Sequence, residues 1–500
     1  MEINFGFEAK TIKTGEPKPV MWNSLHVVNP HILLLGVSGT GKTFNLKKIA
    51  KSLVNTNTNN NFRIHVFDVH GDIDIDSNIA STVVFSESTQ WGMNPLKINS
   101  DQHFGGVRKR VQGFTTTINK VMRSLGPKQE ATLRNLLIDL YKRHGFEANN
   151  PSTWSVPDNP IQVQGSDPTR LYLDVPFAEK DMASSVGAAW DRELSCWYIH
   201  KTAYHGAITK WGPKYKSRTN PTIADLLRYS RLVLEKAYLG TGSEAVVNLE
   251  VVNRMSSRLH KKILASMKNG GKLEENIDED LENAKTKAIE SYENYINSIL
   301  TGIELETVMK YDSIDVLKSV LDRIENLDAI GIFKHKTPPF DVDKAVWRYD
   351  IKSLLLQEKK LFVLFKLEEL FNAAVQRGEQ SEIIDVVLLD EGHLFRDDSD
   401  DNIVDTIVKE ARKFGLALIC ASQSPKHFSE DFMSQTGTKI ILGLDETQYK
   451  ASERKLMIPP NALPWIKPQK TILVNTKLKA QFDYGKKDTW SWVVLPNRDH

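Results

Sequence analysis

Gly36-Val37-Ser38-Gly39-Thr40-Gly41-Lys42-Thr43 stands directly behind the apolar run Ile32-Leu33-Leu34-Leu35, and this order of strand, glycine loop and helix start decides the fold. The spacing G-x-x-x-x-G-K-T wraps successive backbone N–H groups around phosphate oxygens, with glycine where a Cβ would obstruct close approach. The helix that follows turns its positive end toward the anion. Gly36, Ser38, Gly39, Thr40, Gly41, Lys42 and Thr43 are therefore the candidate nucleotide-binding residues. Lys42 is expected to reach the β- and γ-phosphates, and the Thr43 hydroxyl to hold Mg²⁺. ATP and Mg²⁺ are the expected cofactors.

A phosphate loop needs a partner that holds the metal and directs water. Ile383-Ile-Asp-Val-Val-Leu-Leu-Asp390-Glu391 supplies one at the end of a second apolar strand. Asp390 is expected to bind Mg²⁺ through water, and Glu391 to orient the attacking water toward the γ-phosphate. A glutamate in this place argues for hydrolysis rather than for a kinase. A helix is expected over Asn402–Phe414, with Ile403, Val404, Ile407, Val408 and Ala411 on one face and Gly415 as its stop signal. Arg412, at the margin of that stripe, either neutralises charge on a neighbouring subunit's nucleotide or answers the helix's negative C-terminal end. The acids of Asp397-Asp-Ser-Asp-Asp401 are expected to cap this helix. Gln423, in Ala421-Ser-Gln-Ser-Pro425, serves as either a phosphate or water sensor or a turn residue.

Further β-type runs lie at Arg63–Phe67, Thr82–Phe85, Leu416–Ala421, Lys439–Leu442 and Thr471–Val474. Most are continuous rather than alternating, which implies strands covered on both faces, in a mainly parallel sheet between helices. The stretch from 86 to 382 is too long for one crossover and must hold inserted structure. Residues 105–148 and 220–376 read as helical, with Ile223, Leu226 and Leu227, and Ile277, Leu281, Ala284 and Ala288, at three- and four-residue spacings. The charged remainder of Lys272–Asn294 reads as a solvated helical face.

Between Asn149-Asn-Pro-Ser-Thr and Thr219-Asn-Pro lies a second insert, with strands at Leu171–Phe177 and Cys196-Trp-Tyr-Ile around a helix near Glu179–Gly187. It sets Trp190, Trp197, Tyr198 and Trp211 among Lys180, Arg192, Lys201, Lys210, Lys214 and Lys216. Such aromatics either form the core of a small domain or stack on nucleic-acid bases. The chain thus divides into an α/β ATPase core (1–104 and 377–500), a helical lobe (105–167 and 217–376) and a small α+β module (168–216).

Composition bounds this reading without sharpening it. Five hundred residues at 40% hydrophobic content bury a large core, and a net charge of +2 neither demands nor excludes nucleic acid. With Cys196 and Cys420 as its cysteines, the chain has no disulfide framework or cysteine zinc site, as suits a reducing interior. Nothing reads as a leader peptide or a membrane span, so a soluble cytoplasmic protein without a membrane partner is expected.

Taken together, Gly36–Thr43, Asp68-Val-His-Gly-Asp72, Asn94-Pro-Leu96, Asp390-Glu-Gly-His393, Ala411-Arg-Lys-Phe-Gly415 and Ala421-Ser-Gln-Ser-Pro425 resemble the HerA/FtsK superfamily of hexameric DNA-pumping ATPases, its HerA branch above all. The resemblance spans residues 20–145 and 219–475. It implies a RecA-like core, a hexameric ring with ATP between subunits, Glu391 and Lys42 as catalytic residues, Gln423 as sensor, and Arg412 as a finger acting across the interface. DNA and a partner nuclease or effector are the implied partners, in DNA processing or prokaryotic antiviral defence. A ring that scaffolds a defence effector, or one that serves conjugation, is the alternative. Arg108, Lys109, Arg110, Arg123 and Lys128 are either pore contacts or surface charge. The module resembles an accessory domain of plasmid primases and mobile-element proteins. The stretch before Val20-Met-Trp22 is expected to be too short for the N-terminal β-barrel of the HerA branch.

Overall fold

The computed structural model describes residues 1–59, 61–156, 161–165, 167–191, 194, 196–216, 218–239, 243–268, 275–298, 310–311, 313–397, 399, 402–482 and 490–496. Its strands, in chain order, are β1 (Glu2–Glu8), β2 (Pro19–Asn23), β3 (Ile32–Gly36), β4 (Arg63–Asp68), β5 (Ala80–Val84), β6 (Ile161–Gln162), β7 (Arg170–Leu173), β8 (Ala189–Asp191), β9 (Cys196–His200), β10 (Tyr215–Lys216), β11 (Val346–Asp350), β12 (Asp385–Leu389), β13 (Leu416–Ser422), β14 (Thr438–Gly443), β15 (Thr471–Thr476) and β16 (Ser491–Val494). Eleven of them form one sheet, ordered β2-β1-β16-β15-β14-β3-β13-β12-β4-β11-β5. From β14 to β5 every pairing is parallel, and from β14 outward to β2 every pairing is antiparallel.

Both faces of the parallel part are covered, which explains its continuous apolar runs. On one face Ile32, Leu34, Ile64, Val66, Leu388 and Ile419 meet Leu46, Ile49, Ala50 and Leu53 of the helix Lys42–Thr56. On the other, Leu33, Leu35, Phe67, Val387, Leu389 and Leu418 meet Leu361, Phe362 and Phe365 of the helix Leu356–Arg377. This second core runs on into the inserted helices Val107–Val121, Pro127–Arg143, Ile223–Leu239 and Ile314–Ala329. The helices Ser243–Lys268 and Glu275–Ser298 pair with each other. Of the residues spaced for a helix near position 280, Ala288 is half-buried, while the side chains of Ile277, Leu281 and Ala284 lie outside the described residues.

One stretch read as helical holds a core strand. β11 lies within 220–376, yet it pairs with β4 and β5 inside the parallel region, one strand from its edge. Its sequence Val-Trp-Arg-Tyr-Asp shows no continuous apolar run, because Arg348 is buried there against Asp68. The antiparallel strands β1, β2 and β16 are not buried along their whole length. β1 and β2 alternate buried and exposed residues or carry a proline and a bulge.

The module has its own sheet, β7-β9-β8, and its own core of Leu173, Ala183, Ala188, Ile199, Ile208 and Trp211. The two readings of its tryptophans divide between residues. Trp211 is buried and donates from Nε1 to Glu179 Oε2 at 2.6 Å, whereas Trp190 is 47% exposed and leans edge-on against Trp197 at 5.4 Å. Arg192 lies outside the described residues. No helix among the described residues is long and apolar enough to cross a membrane.

Candidate nucleotide site

Register brings the site together. Leu389 of β12 stands opposite Phe67 of β4 and Cys420 of β13, and Ser422 of β13 stands opposite Leu35 of β3. The carboxyl ends of β3, β4, β12 and β13 therefore share one edge of the sheet, where open α/β folds place their ligands.

Gly36 ends β3, and a Cβ there would collide with Thr40 Oγ1. That hydroxyl donates to Val37 O at 2.7 Å, and Val37 N–H donates to Gly443 O at 3.0 Å, which ties the loop to the end of β14. Gly39 (φ 81°) and Gly41 (φ 94°) adopt the left-handed backbone that lets consecutive N–H groups face inward. Ser38 is exposed at the loop's turn. Lys42 opens the helix and is 9% exposed, its Nζ 3.5 Å from Glu391 Oε1. Thr43 Oγ1 donates to Asp72 Oδ2 at 3.2 Å.

Asp390 follows β12 and is buried, its Oδ1 accepting from Glu391 N–H at 3.0 Å. Burial first, then the charges of Glu391 and Asp72, raise its carboxyl to about 6. Negative charge there is held against repulsion, a condition that a cation relieves. Glu391 sits at φ 49°, a left-handed conformation uncommon outside glycine. The turn continues through Gly392, where a Cβ would collide with Cys420 Sγ. Gln423 Nε2 donates to Glu391 Oε1 at 3.2 Å, while Glu391 Oε2 is buried with no hydrogen-bond partner among the described residues. Left-handed glycines in the loop, a lysine set against a carboxylate oxygen, and a buried carboxylate oxygen that makes no hydrogen bond, with His393 Nδ1 3.3 Å away, fit a triphosphate with its metal and a water.

Lys42, Thr43, Asp390, Glu391 and Gln423 therefore converge with the loop. Arg412 does not join them. It is exposed before β13, at the opposite edge of the sheet, where its charge is the second cause, after burial, that lowers the His31 imidazole to about 3. It lines a groove of about 570 Å³ with Pro30, Glu379, Glu382, Lys409 and Lys413. The cap of the following helix also differs from expectation. Asn402 accepts from Val404 and Asp405 N–H, Asp397 instead accepts from Ser399 N–H, and residues 398, 400 and 401 lie outside the described residues. An amide oxygen at the N-cap is within reach of two first-turn N–H groups. Of the basic residues considered as pore contacts, Arg110 is half-buried and held by Glu368 at 2.8 Å, and Arg108 donates to Asn149 at 2.7 Å.

Three neighbours of Glu391 and Thr43 went unassigned in the sequence. His393 Nδ1 lies 3.3 Å from Glu391 Oε2, and its ring stacks on His427 at 4.4 Å with Ser422 Oγ between them. Asp72 faces Thr43. His393 and Asp72 lie in the contiguous stretches Asp390-Glu-Gly-His393 and Asp68-Val-His-Gly-Asp72, where a local signal exists. His427 gave no signal, since stacking across two loops leaves no local pattern.

Residues 12–108 match the family described as Helicase HerA, central domain, and residues 170–213 match a domain of unknown function, DUF5710. Over 61 residues the chain is 41% identical to the DNA double-strand break repair helicase HerA of Pyrococcus furiosus, covering 11% of each. Over 368 residues it is 25% identical to the probable helicase MJECL08 of Methanocaldococcus jannaschii, 72% of this chain and 59% of that one. A 50-residue stretch is 42% identical to DNA primase TraC of Escherichia coli, 10% of this chain and 4% of the primase. The chain thus spans less than two thirds of each of these relatives. In fold it is similar to VirB4 of Thermoanaerobacter pseudethanolicus, with a TM-score of 0.51 at 13% identity over 99% of this chain and 96% of that one. The RecA-like core and the resemblance to the HerA/FtsK superfamily, with a primase-type accessory domain inserted, are borne out.

Proposed function

From its HerA/FtsK type and the site just described, we propose that the chain is a Mg²⁺-dependent ATPase that drives DNA through a hexameric ring of its own copies. The approach of Lys42 Nζ to Glu391 Oε1 at 3.5 Å, with Gln423 on the same oxygen, carries this reading. The loop N–H groups and Lys42 hold the phosphates. Thr43 and Asp390 are the residues that hold Mg²⁺, which neutralises charge on the transferred phosphoryl group. When Lys42 turns to the phosphate, Glu391 Oε1 is released to take up the attacking water and accept its proton, and Gln423 links that carboxylate to the γ-phosphate. The left-handed backbone at Glu391 and the packing of Gly392 on Cys420 keep the carboxylate aimed without reorganisation.

Arg412 acts in trans in this reading. The length of the five-residue strand β3, roughly 16 Å, separates its edge of the sheet from its own phosphate loop. A neighbour's nucleotide set against the groove of Pro30, Lys409 and Lys413 brings the guanidinium to the developing charge. The core comprises 1–104 and 377–500 together with β11, the lobe 105–167 and the rest of 217–376, and the module 168–216. A partner nuclease or effector completes the assembly.

ATP turnover measured with and without duplex DNA tests the motor. A rise with DNA that weakens as salt increases is expected, and turnover indifferent to DNA at every salt concentration would refute it.

One observation favours a second reading, the mobilisation of DNA elements. The module has the exposed Trp190, has Arg170 over Tyr198 at 4.2 Å, and is similar to part of a protein named DNA primase. Removing 168–216 should then abolish binding of single strands and leave basal ATP turnover intact.

A further inference from the structure

Asp68-Val69-His70-Gly71-Asp72-Ile73 leaves the end of β4 as a loop that is fixed with unusual economy. Asp68 is fully buried. Its Oδ1 accepts from Gly71 N–H at 2.7 Å, and its Oδ2 accepts from Ile73 N–H at 3.0 Å and from Arg348 Nε and Nη2 at 2.9 and 2.6 Å. Gly71, at φ 78°, packs where a Cβ would press on the Lys352 side chain. Ile73 is buried in the core. The residues on both sides of Asp72 are therefore pinned, so the exposed Asp72 is held at one place at the carboxyl edge of the sheet.

That place is beside the phosphate-loop threonine. Thr43 Oγ1 donates to Asp72 Oδ2 at 3.2 Å, and the charge of Asp72 also faces Asp390. Glu391, whose side chain is 8% exposed, faces Lys42 with one carboxylate oxygen and His393 with the other. Holding the Asp72 charge against Asp390 works against the stability of the empty protein, because like charges repel. A divalent cation reverses that sign.

We propose that Asp72 is a positioning acid of the metal site: it holds the Thr43 hydroxyl before Mg²⁺ is present, and accepts from the metal's bound water afterwards. This rests on the ATPase reading. It assigns to the β4 loop a role that the strand-end acids Asp390 and Glu391 do not cover. The buried Asp68–Arg348 pair is then the support that makes the distance from Asp72 to Thr43 reproducible, as groups behind a metal's ligands do elsewhere.

The test is binding of a fluorescent methylanthraniloyl-ATP to the full chain, titrated with Mg²⁺ and repeated with excess chelator. Asp72→Asn is expected to raise the half-saturating Mg²⁺ about tenfold, to leave chelator-state binding unchanged or tighter, and to leave the nucleotide-free melting temperature unmoved or slightly raised, since the residue is exposed and its charge is repelled by Asp390. Asp72→Glu is expected to recover part of the Mg²⁺ dependence. Equal half-saturation in wild type and Asp72→Asn would overturn the assignment, as would an equal loss of affinity with and without Mg²⁺, which marks a loop prop. Wild-type protein that binds the probe with no dependence on Mg²⁺ would overturn the ATPase reading along with it.

Discussion

Asp390→Asn is expected to stabilise the nucleotide-free protein while disabling it. The carboxyl of Asp390 stands at about 6 in the folded chain against an ordinary 3.8, so the native state binds its proton more tightly than the unfolded state does. Stability from that proton is therefore fully present below about pH 4 and is lost as pH rises through about 6. At pH 8 the ionised group costs roughly 2 to 3 kcal/mol. Asparagine keeps an Oδ1 to accept the Glu391 N–H, now 3.0 Å away, and carries no charge. The variant should melt several degrees above wild type at pH 8. That advantage should fall to about half near pH 5 and be gone by about pH 4. Adding Mg²⁺ and ATP should invert the order, because the metal favours the ionised carboxylate and only wild type gains from it. Melts across this pH range, with and without Mg²⁺ and ATP, decide the matter. A variant no more stable than wild type at pH 8, or one whose advantage is constant from pH 8 to 4, refutes the claim that charge at Asp390 is held at a cost.

The remaining expectations address each part of the site. Glu391→Gln should bind ATP with near wild-type affinity and lose about 10²- to 10⁴-fold in turnover, read by pairing a binding titration with phosphate release. Arg412→Ala and Lys42→Ala should each be inactive, and their mixture should recover turnover if the guanidinium serves a neighbouring subunit. No recovery at any ratio would count against action in trans. Arg348→Ala leaves Asp68 buried without its cation and should destabilise the core by about 3 to 5 kcal/mol, measured by denaturant unfolding; a change near zero would refute the claim that this pair supports the β4 loop.

The seven apolar runs read from the sequence are all strands, because a strand sandwiched between helices must be apolar on both faces and that leaves an unbroken local mark. Leu33 and Leu35 face one core while Ile32 and Leu34 face the other, and no neighbour needs to be known to see it. β11 escaped because its buried arginine is neutralised by Asp68, a partner 280 positions away that no local window contains. The same limit applied to the site. The phosphate loop and the Asp390-Glu391 pair carry their chemistry in contiguous residues, so their identity was legible. The His393–His427 stack and the approach of Asp72 to Thr43 join separate loops, and only register brings them into contact.

Arg412 shows the division most sharply. From the sequence it was a cation near a helix end with two readings. The fold sets it across the sheet from its own phosphate loop, in the groove it shares with Pro30, Lys409 and Lys413. Sequence alone marked the groups proposed here for phosphate, metal and water, because those motifs are short and bound to local backbone geometry. Tertiary structure decided which of them meet, since parallel strand register aligns the ends of strands whose residues are hundreds of positions apart.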